Sequence, residues 1–124
     1  MGRSKICKTM TTITDLSEIS SMLEQYRGAA AKVWHFNVTH KKLFIRLSLP
    51  GQNEVVFIVA VSCENMNGPF SWKNANISIS EEVDKETSEQ ITYLIDKDAL
   101  FKLASSGGVV LGRGLEPEFD ESFR

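Results

Sequence analysis

The stretch EVVFIVAVSC, residues 54–63, decides the fold class of this chain. Apart from Glu54, all of its residues are apolar or small, and the β-branched and aromatic side chains among them favour a strand. The run is too short to span a bilayer as a helix. Because apolar residues occupy both odd and even positions, we expect both faces to be covered and the strand to be central in a sheet.

Two alternating segments precede the central strand and predict a β-hairpin. Residues 33–38 and 43–49 each alternate apolar with polar side chains, and 39–42 are suited to a turn. With that turn, Trp34 lies opposite Leu47, and the apolar side chains of both strands share one face.

The sequence PGQN at 50–53 is a strong turn signal that connects the hairpin to the central strand. A turn there places Ile45 opposite Ile58 and Leu47 opposite Val56. Three strands then present one continuous apolar face, which is the arrangement of an antiparallel meander.

Two helices complete the predicted fold. Asp15 and Glu18 have the spacing of a capping box, and the apolar residues that follow recur at helical period over 15–28. A second, short helix is predicted over 98–104. The remaining strands are expected at 75–80, 91–95 and 109–111. The fold class is therefore α+β, an antiparallel β-meander of five or six strands with two helices packed on one face.

Length and composition indicate one domain over residues 1–124. The chain is 42% hydrophobic and 24% charged, which is typical of a folded domain that needs no disulfide to bury a core. We expect mobile tails at 1–14 and 115–124. The N-terminal segment is basic but lacks the apolar run of a secretory signal, so a cytoplasmic protein without a membrane span is expected.

Charge argues against an obligate nucleic-acid binder, since the net charge is −2. Its distribution is uneven. Up to residue 50 there are eight Lys and Arg against three Asp and Glu, and from residue 51 onward there are six against thirteen. Such asymmetry suits either a polar surface for a partner or a mosaic of both signs, because strands from the two halves mix in space.

No motif for catalysis, a metal or a cofactor is present in the sequence. His35 and His40 do not have the spacing of metal ligands, and the glycines near residue 107 do not match a phosphate-binding loop. Cys63 follows an apolar run without the cationic neighbours that activate a thiol. We therefore expect no catalytic residues, no metal site and no cofactor.

The segment 66–72 is the best candidate for a binding surface. It places Met66, Phe70 and Trp72 around a Gly-Pro turn, and aromatic side chains among polar, turn-forming residues are typical of recognition surfaces. The alternative is that Phe70 and Trp72 fold back and cover the end of the sheet. The sequence leaves both readings open.

These observations favour a non-enzymatic protein that binds another macromolecule, such as an adaptor or an antitoxin-like or immunity-like inhibitor. A protein partner is expected, and self-association is left open. The rival interpretation is a small-molecule binder or enzyme with a pocket between helix 15–28 and the sheet, lined by Tyr26, Trp34, His35 and Arg46.

Cys7 and Cys63 are expected to be unbridged, because one lies in a polar N-terminal segment and the other ends the central strand. Alkylation of the denatured protein without reductant, followed by mass spectrometry, should add two labels. An intact bridge between the two would contradict both the redox argument and the expected compartment.

Overall fold

The computed structural model describes residues 11–115, which form two antiparallel sheets and one helix. In chain order the elements are β1 (Thr11–Ile13), α1 (Leu16–Gln25), β2 (Ala30–Asn37), β3 (Lys42–Ser48), β4 (Glu54–Ala60), β5 (Cys63–Asn67), β6 (Ser71–Trp72), β7 (Ser78–Val83), β8 (Gln90–Asp96), β9 (Phe101–Ser105) and β10 (Val109–Leu115). This β-rich arrangement agrees with the predicted α+β class only coarsely: residues 11–115 form ten strands in two sheets, not five or six strands in one meander, and one helix, not two.

The central strand prediction is confirmed. The first sheet has the order β1-β10-β4-β3-β2-β6, so β4 lies in its interior between β10 and β3. Val56 and Ile58 of β4 belong to the main core, the cluster of buried apolar residues between the sheets and the helix. Phe57 lies on the opposite face in a smaller cluster with Phe44 and Val55. Both faces of β4 are therefore buried, as its uninterrupted apolar sequence predicts.

The second sheet has the order β5-β9-β8-β7. It continues the first sheet through two bends that lie side by side, one from β4 to β5 and one from β9 to β10. Backbone hydrogen bonds join these bends: Val61 N–H donates to the Gly108 carbonyl at 2.9 Å, and Gly107 N–H donates to the Val61 carbonyl at 2.9 Å. The two sheets are thus connected along one corner, with the main core between them.

The register between β3 and β4 is the one predicted from the turn at 50–53. Ile45 lies opposite Ile58 and Leu47 lies opposite Val56. All four side chains are buried in the main core.

The register predicted for the first hairpin is wrong for two reasons. Next to the turn, Phe36 pairs with Leu43, which is two residues out of the predicted register, and β2 then contains a β-bulge at Trp34. Ala31, not Trp34, lies opposite Leu47. Trp34 packs instead on the other face of the sheet against Phe57, with 5.8 Å between ring centroids. The extra residue of a bulge reverses the side-chain alternation on one side of it, and simple counting along the sequence does not detect it.

The prediction of a second helix over 98–104 is also wrong. Phe101–Ser105 forms β9, which pairs with β5 on one side and β8 on the other. Phe101 and Leu103 are buried while Lys102 between them is exposed, which is the period-two pattern of a strand. Over so few residues this pattern is easily read as helical, and pairing with two neighbouring strands decides the conformation.

The helix α1 is shorter than the predicted 15–28, but the predicted cap is confirmed. The Asp15 side chain accepts a hydrogen bond from Glu18 N–H at 3.3 Å. Ile19, Met22 and Leu23 are buried and pack the helix into the main core. The helix ends before Gly28, whose φ of 92° is left-handed and suits a residue that follows a helix.

Several boundaries differ from those predicted. Thr11–Ile13 pairs with β10 although it lies in the expected tail 1–14, and β10 itself extends to Leu115. The rest of both expected tails, 1–10 and 116–124, lies outside the described residues. The strand expected at 75–80 forms at Ser78–Val83.

Truncating a buried side chain on either face of β4 should strongly destabilise the protein. Phe57 and Ile58 are 0% and 1% exposed and belong to different clusters. We expect Phe57→Ala and Ile58→Ala each to lower the free energy of unfolding by ~2–5 kcal/mol in urea titrations. The control is Lys42→Ala on the exposed side of β3, which should cost less than about 0.5 kcal/mol. A loss below ~1 kcal/mol for either core variant would show that one face of β4 is not tightly packed.

Candidate functional site

A mainly apolar hollow of about 300 Å³ opens between β2 and β5. Eight residues from β2, β3, β5 and the segment before β6 line it: Val33, Phe36, Leu43, Cys63, Glu64, Asn65, Met66 and Phe70. Met66 and Phe70, two of the three residues predicted to form a binding surface, lie in this lining. The structure adds Phe36, which was predicted to lie on the core face of the first hairpin.

Backbone contacts at both ends hold the hollow open between its two walls. At one end, Val33 N–H of β2 donates to the Phe70 carbonyl at 2.7 Å, where β6 begins to pair with β2. At the other end, Cys63 N–H of β5 donates to the carbonyl of Lys41 at 2.7 Å, in the turn between β2 and β3. Between these two contacts β2 and β5 are not paired with each other.

The rim of the hollow carries large apolar side chains that face solvent. Phe70 is 72% exposed and Phe36 is 44% exposed. Exposed large apolar residues are individually common, but two of them lining one cavity are typical of a surface that binds a partner.

Trp72 has a different environment from Phe70. Its indole N–H donates to Oδ2 of Asp96 at 2.8 Å, and its ring packs on Phe101 with 4.6 Å between centroids. Trp72 is half-buried and contacts the main core. The two alternatives for the aromatic pair therefore apply to different residues: Trp72 helps to hold the fold together, and Phe70 is presented to solvent.

Asp96 supports this region, although no pattern in the sequence points to it. It is fully buried, and besides Trp72 its carboxylate accepts N–H donors from the backbone of Asn76 at 2.8 Å and Ala99 at 3.2 Å. A buried carboxylate needs such partners. No sequence signal distinguishes Asp96 from the acidic residues around it, because two of its partners, Trp72 and Asn76, lie 24 and 20 residues away in the sequence.

Gly68 lets the segment before Phe70 pack closely on β9. Its φ is 139°, and a Cβ at this position would lie 2.8 Å from the Cα of Phe101. Any side chain would clash with that backbone, so the glycine is required. Pro69 follows it and restricts the chain further. Phe70 is therefore presented by a stiff segment.

Cys63 forms part of the wall of the hollow as a buried thiol. It is 6% exposed, and its sulfur contacts the Asn65 carbonyl at 3.6 Å. Burial raises the pKa of the Cys63 thiol, and the nearby Glu64 carboxylate acts in the same direction. These surroundings disfavour the thiolate, so the hollow offers apolar contact and not an activated nucleophile.

Glu64 places one fixed carboxylate at the rim. The Ser106 hydroxyl donates to it at 2.8 Å, and Nζ of Lys41 lies 3.6 Å from it. These contacts, the hydrogen bond from Ser106 first, lower the pKa of Glu64. The carboxylate is therefore ionised at neutral pH and already has a cationic neighbour.

The four residues predicted to line the alternative pocket are not brought together. Tyr26 is 4% exposed in the main core, with its hydroxyl 3.5 Å from Oε1 of Gln52. Trp34, Arg46 and His35 lie on the opposite face of the first sheet: the Arg46 guanidinium is 5.4 Å from the Trp34 ring, and His35 packs near Phe44. A cavity of about 430 Å³ between β1 and α1 is lined by none of them.

The described part of the chain offers neither a cluster of metal ligands nor a membrane-spanning helix. Across residues 11–115, no group of three or more His, Cys, Asp or Glu side chains is placed to hold a metal ion. No helix within the same range is both long and apolar enough to cross a membrane.

Phe70 and Trp72 should respond differently to the same substitution. We expect Trp72→Ser to lower the free energy of unfolding by about 2–4 kcal/mol, because it removes a packed ring and the N–H partner of a buried carboxylate. Phe70→Ser, at an exposed position, should change it by less than about 0.5 kcal/mol. Urea titrations of the two single variants test the difference, and equal losses would show that Phe70 is also part of the core.

Comparisons with known proteins assign no family to this chain. No protein-family model matches it. No curated protein and no solved structure matches it at a significant level.

Proposed function

We propose that this protein acts by binding another protein through the Phe70 surface, formed by Phe36, Met66 and Phe70 around the hollow. The observation that carries the proposal is the 72% exposure of Phe70 at the rim of an apolar cavity. Contact with a partner would remove these apolar groups from water, which is the main favourable term in protein association. An adaptor, or an inhibitor of the antitoxin or immunity type, would use such a surface.

The stiffness of the segment that carries Phe70 supports this proposal. Gly68 packs on β9, Val33 N–H binds the Phe70 carbonyl, and Trp72 is tied to Asp96. The ring therefore loses little conformational freedom when it docks, and such pre-organisation increases affinity. Aromatic residues of this kind often contribute most of the binding energy of an interface.

A second candidate function is the binding of a small apolar molecule in the hollow. Its volume of about 300 Å³ is at the lower end of the range for ligand pockets, and its walls are mainly apolar. Native mass spectrometry of protein purified from its host would reveal a bound small molecule. A stoichiometric adduct that Leu43→Trp abolishes by filling the hollow would favour this candidate.

The protein-binding proposal is tested by capture of a partner from the native host with the tagged full chain. We expect the wild type to capture a stoichiometric partner and Phe70→Ser to lose it. With the purified partner, calorimetry should show affinity weakened by about 30-fold or more, the effect of removing an interface hot spot. The matched control is Val83→Ser on β7, which removes a side chain that is 64% exposed at another edge.

Equal capture by wild type and Phe70→Ser would contradict the proposal. Loss of the partner with Val83→Ser alone would place the binding surface on the second sheet instead. Both variants should be checked by urea titration, so that a loss of binding is not confused with a loss of fold.

A further inference from the structure

We propose that the partner reaches the Phe70 surface as an extended segment that adds a strand along the free edge of β5. One large apolar side chain of that segment would enter the hollow. This inference rests on the proposed function and specifies the chemistry of the occupant: an extended, uncharged protein segment with a Phe or Leu anchor.

The first observation is an edge of β5 that has no neighbouring strand. β5 pairs with β9 on one side only. Among residues 11–115, the backbone hydrogen bond on its other side is the one from Cys63 N–H to the Lys41 carbonyl. From Glu64 to Asn67 that edge has no strand beside it in the described chain. An edge of this kind can pair with an extended segment of another chain.

The second observation is that the edges offered by β7, β1 and β6 are poorly suited to pairing. β7 carries the adjacent acids Glu81 and Glu82, and charged side chains discourage the addition of a strand. β1 has three residues and β6 has two, so each offers little backbone to a partner. On β5 the one charged residue, Glu64, already lies beside Lys41 at 3.6 Å. Its remaining edge residues, Asn65, Met66 and Asn67, are uncharged.

The third observation is that the hollow lies beside this edge. Side chains of a strand alternate between two faces, so every second side chain of an added segment would point to the same side as the hollow. Roughly 150 Å³ suffices to hold a benzene ring in an apolar cavity. The hollow, at about 300 Å³, can therefore accept the side chain of Phe or Leu.

The ends of the described chain lie away from the hollow. Thr11 lies beside Arg113, and Leu115 lies opposite Glu54, so the chain enters and leaves at the Glu54 end of β4. The hollow lies at the other end, where Leu43 pairs with Ala60. The length of β4, roughly 20 Å, separates the two ends.

The charges along β5 indicate the composition of the partner segment. Its backbone would run beside Asn65 and Asn67, which offer amides but no fixed charge. An acidic residue opposite Glu64 would be repelled, because like charges directly across a strand pair are destabilising. A basic residue there would gain little, because Lys41 already lies 3.6 Å from Glu64. We therefore expect a neutral segment rich in β-branched residues around the apolar anchor.

The test is a selection of random twelve-residue displayed peptides on the full-length protein. We expect the enriched peptides to alternate apolar and polar residues around one Phe or Leu. Synthetic versions of these peptides should bind the wild type. Their affinity should fall at least about tenfold for Asn65→Lys/Asn67→Lys and should be unchanged for Ser78→Lys/Ser80→Lys. The second double variant adds the same charge to the exposed positions of β7.

Hydrogen exchange gives a second measurement that does not depend on a variant. Amides in 64–67 should become protected when a selected peptide is bound. The inference would be overturned if the selected peptides had a helical pattern. It would also be overturned if Asn65→Lys/Asn67→Lys left their affinity unchanged and their binding left amide exchange in 64–67 unchanged. Wild-type self-association in sedimentation experiments that Asn65→Lys/Asn67→Lys abolishes would also overturn it, because the occupant would then be a second copy of this chain.

Failure of this inference is separable from failure of the proposed function. The lysine variant of β5 leaves Phe36, Met66 and Phe70 in place. If a host partner is lost with Phe70→Ser but retained by Asn65→Lys/Asn67→Lys, the Phe70 surface binds its partner without strand addition, and only the inference is wrong.

Discussion

β4 is packed on both of its faces, and the positions of the other elements follow from this two-sided burial. Val56 and Ile58 contact the main core, while Phe57 holds the smaller cluster on the opposite face. The chain then turns from the first sheet into the second at Ser62, where φ is 55°. Gly107 lies beside that bend, and a Cβ there would be 2.8 Å from the Val61 carbonyl. The corner therefore tolerates little change in the chain that crosses it.

This corner is also the origin of the hollow. In the first sheet β4 has β3 beside it, but after the bend β5 has only β9 as a neighbour. The turn between β2 and β3 reaches β5 at Cys63 and does not follow it further. The space beside the rest of β5 is left to apolar side chains from β2 and from the segment that carries Phe70. A cavity next to an unpaired edge results from the topology, because no strand of the described chain fills that position.

The candidate site could be predicted from the sequence only in part. Met66 and Phe70 were predicted from their aromatic and turn-forming context, and both line the hollow. Phe36 was not, because the alternation places it correctly on the face of Leu43 but does not show that this end of the strand stays uncovered. Asp96 was not predicted either, since two of the three N–H groups that it accepts, those of Trp72 and Asn76, lie 24 and 20 residues away in the sequence.

The sequence by itself determined the features that depend on local pattern: the central strand, the register between β3 and β4, and the cap of α1 at Asp15. Each is set by residues within one turn or one run, where periodicity and side-chain chemistry act directly. Tertiary structure decided the conformation of β9, the division into two sheets, and the different roles of Phe70 and Trp72. These depend on which strands meet in space, and pairing and burial across the fold override the weak preferences of a few residues.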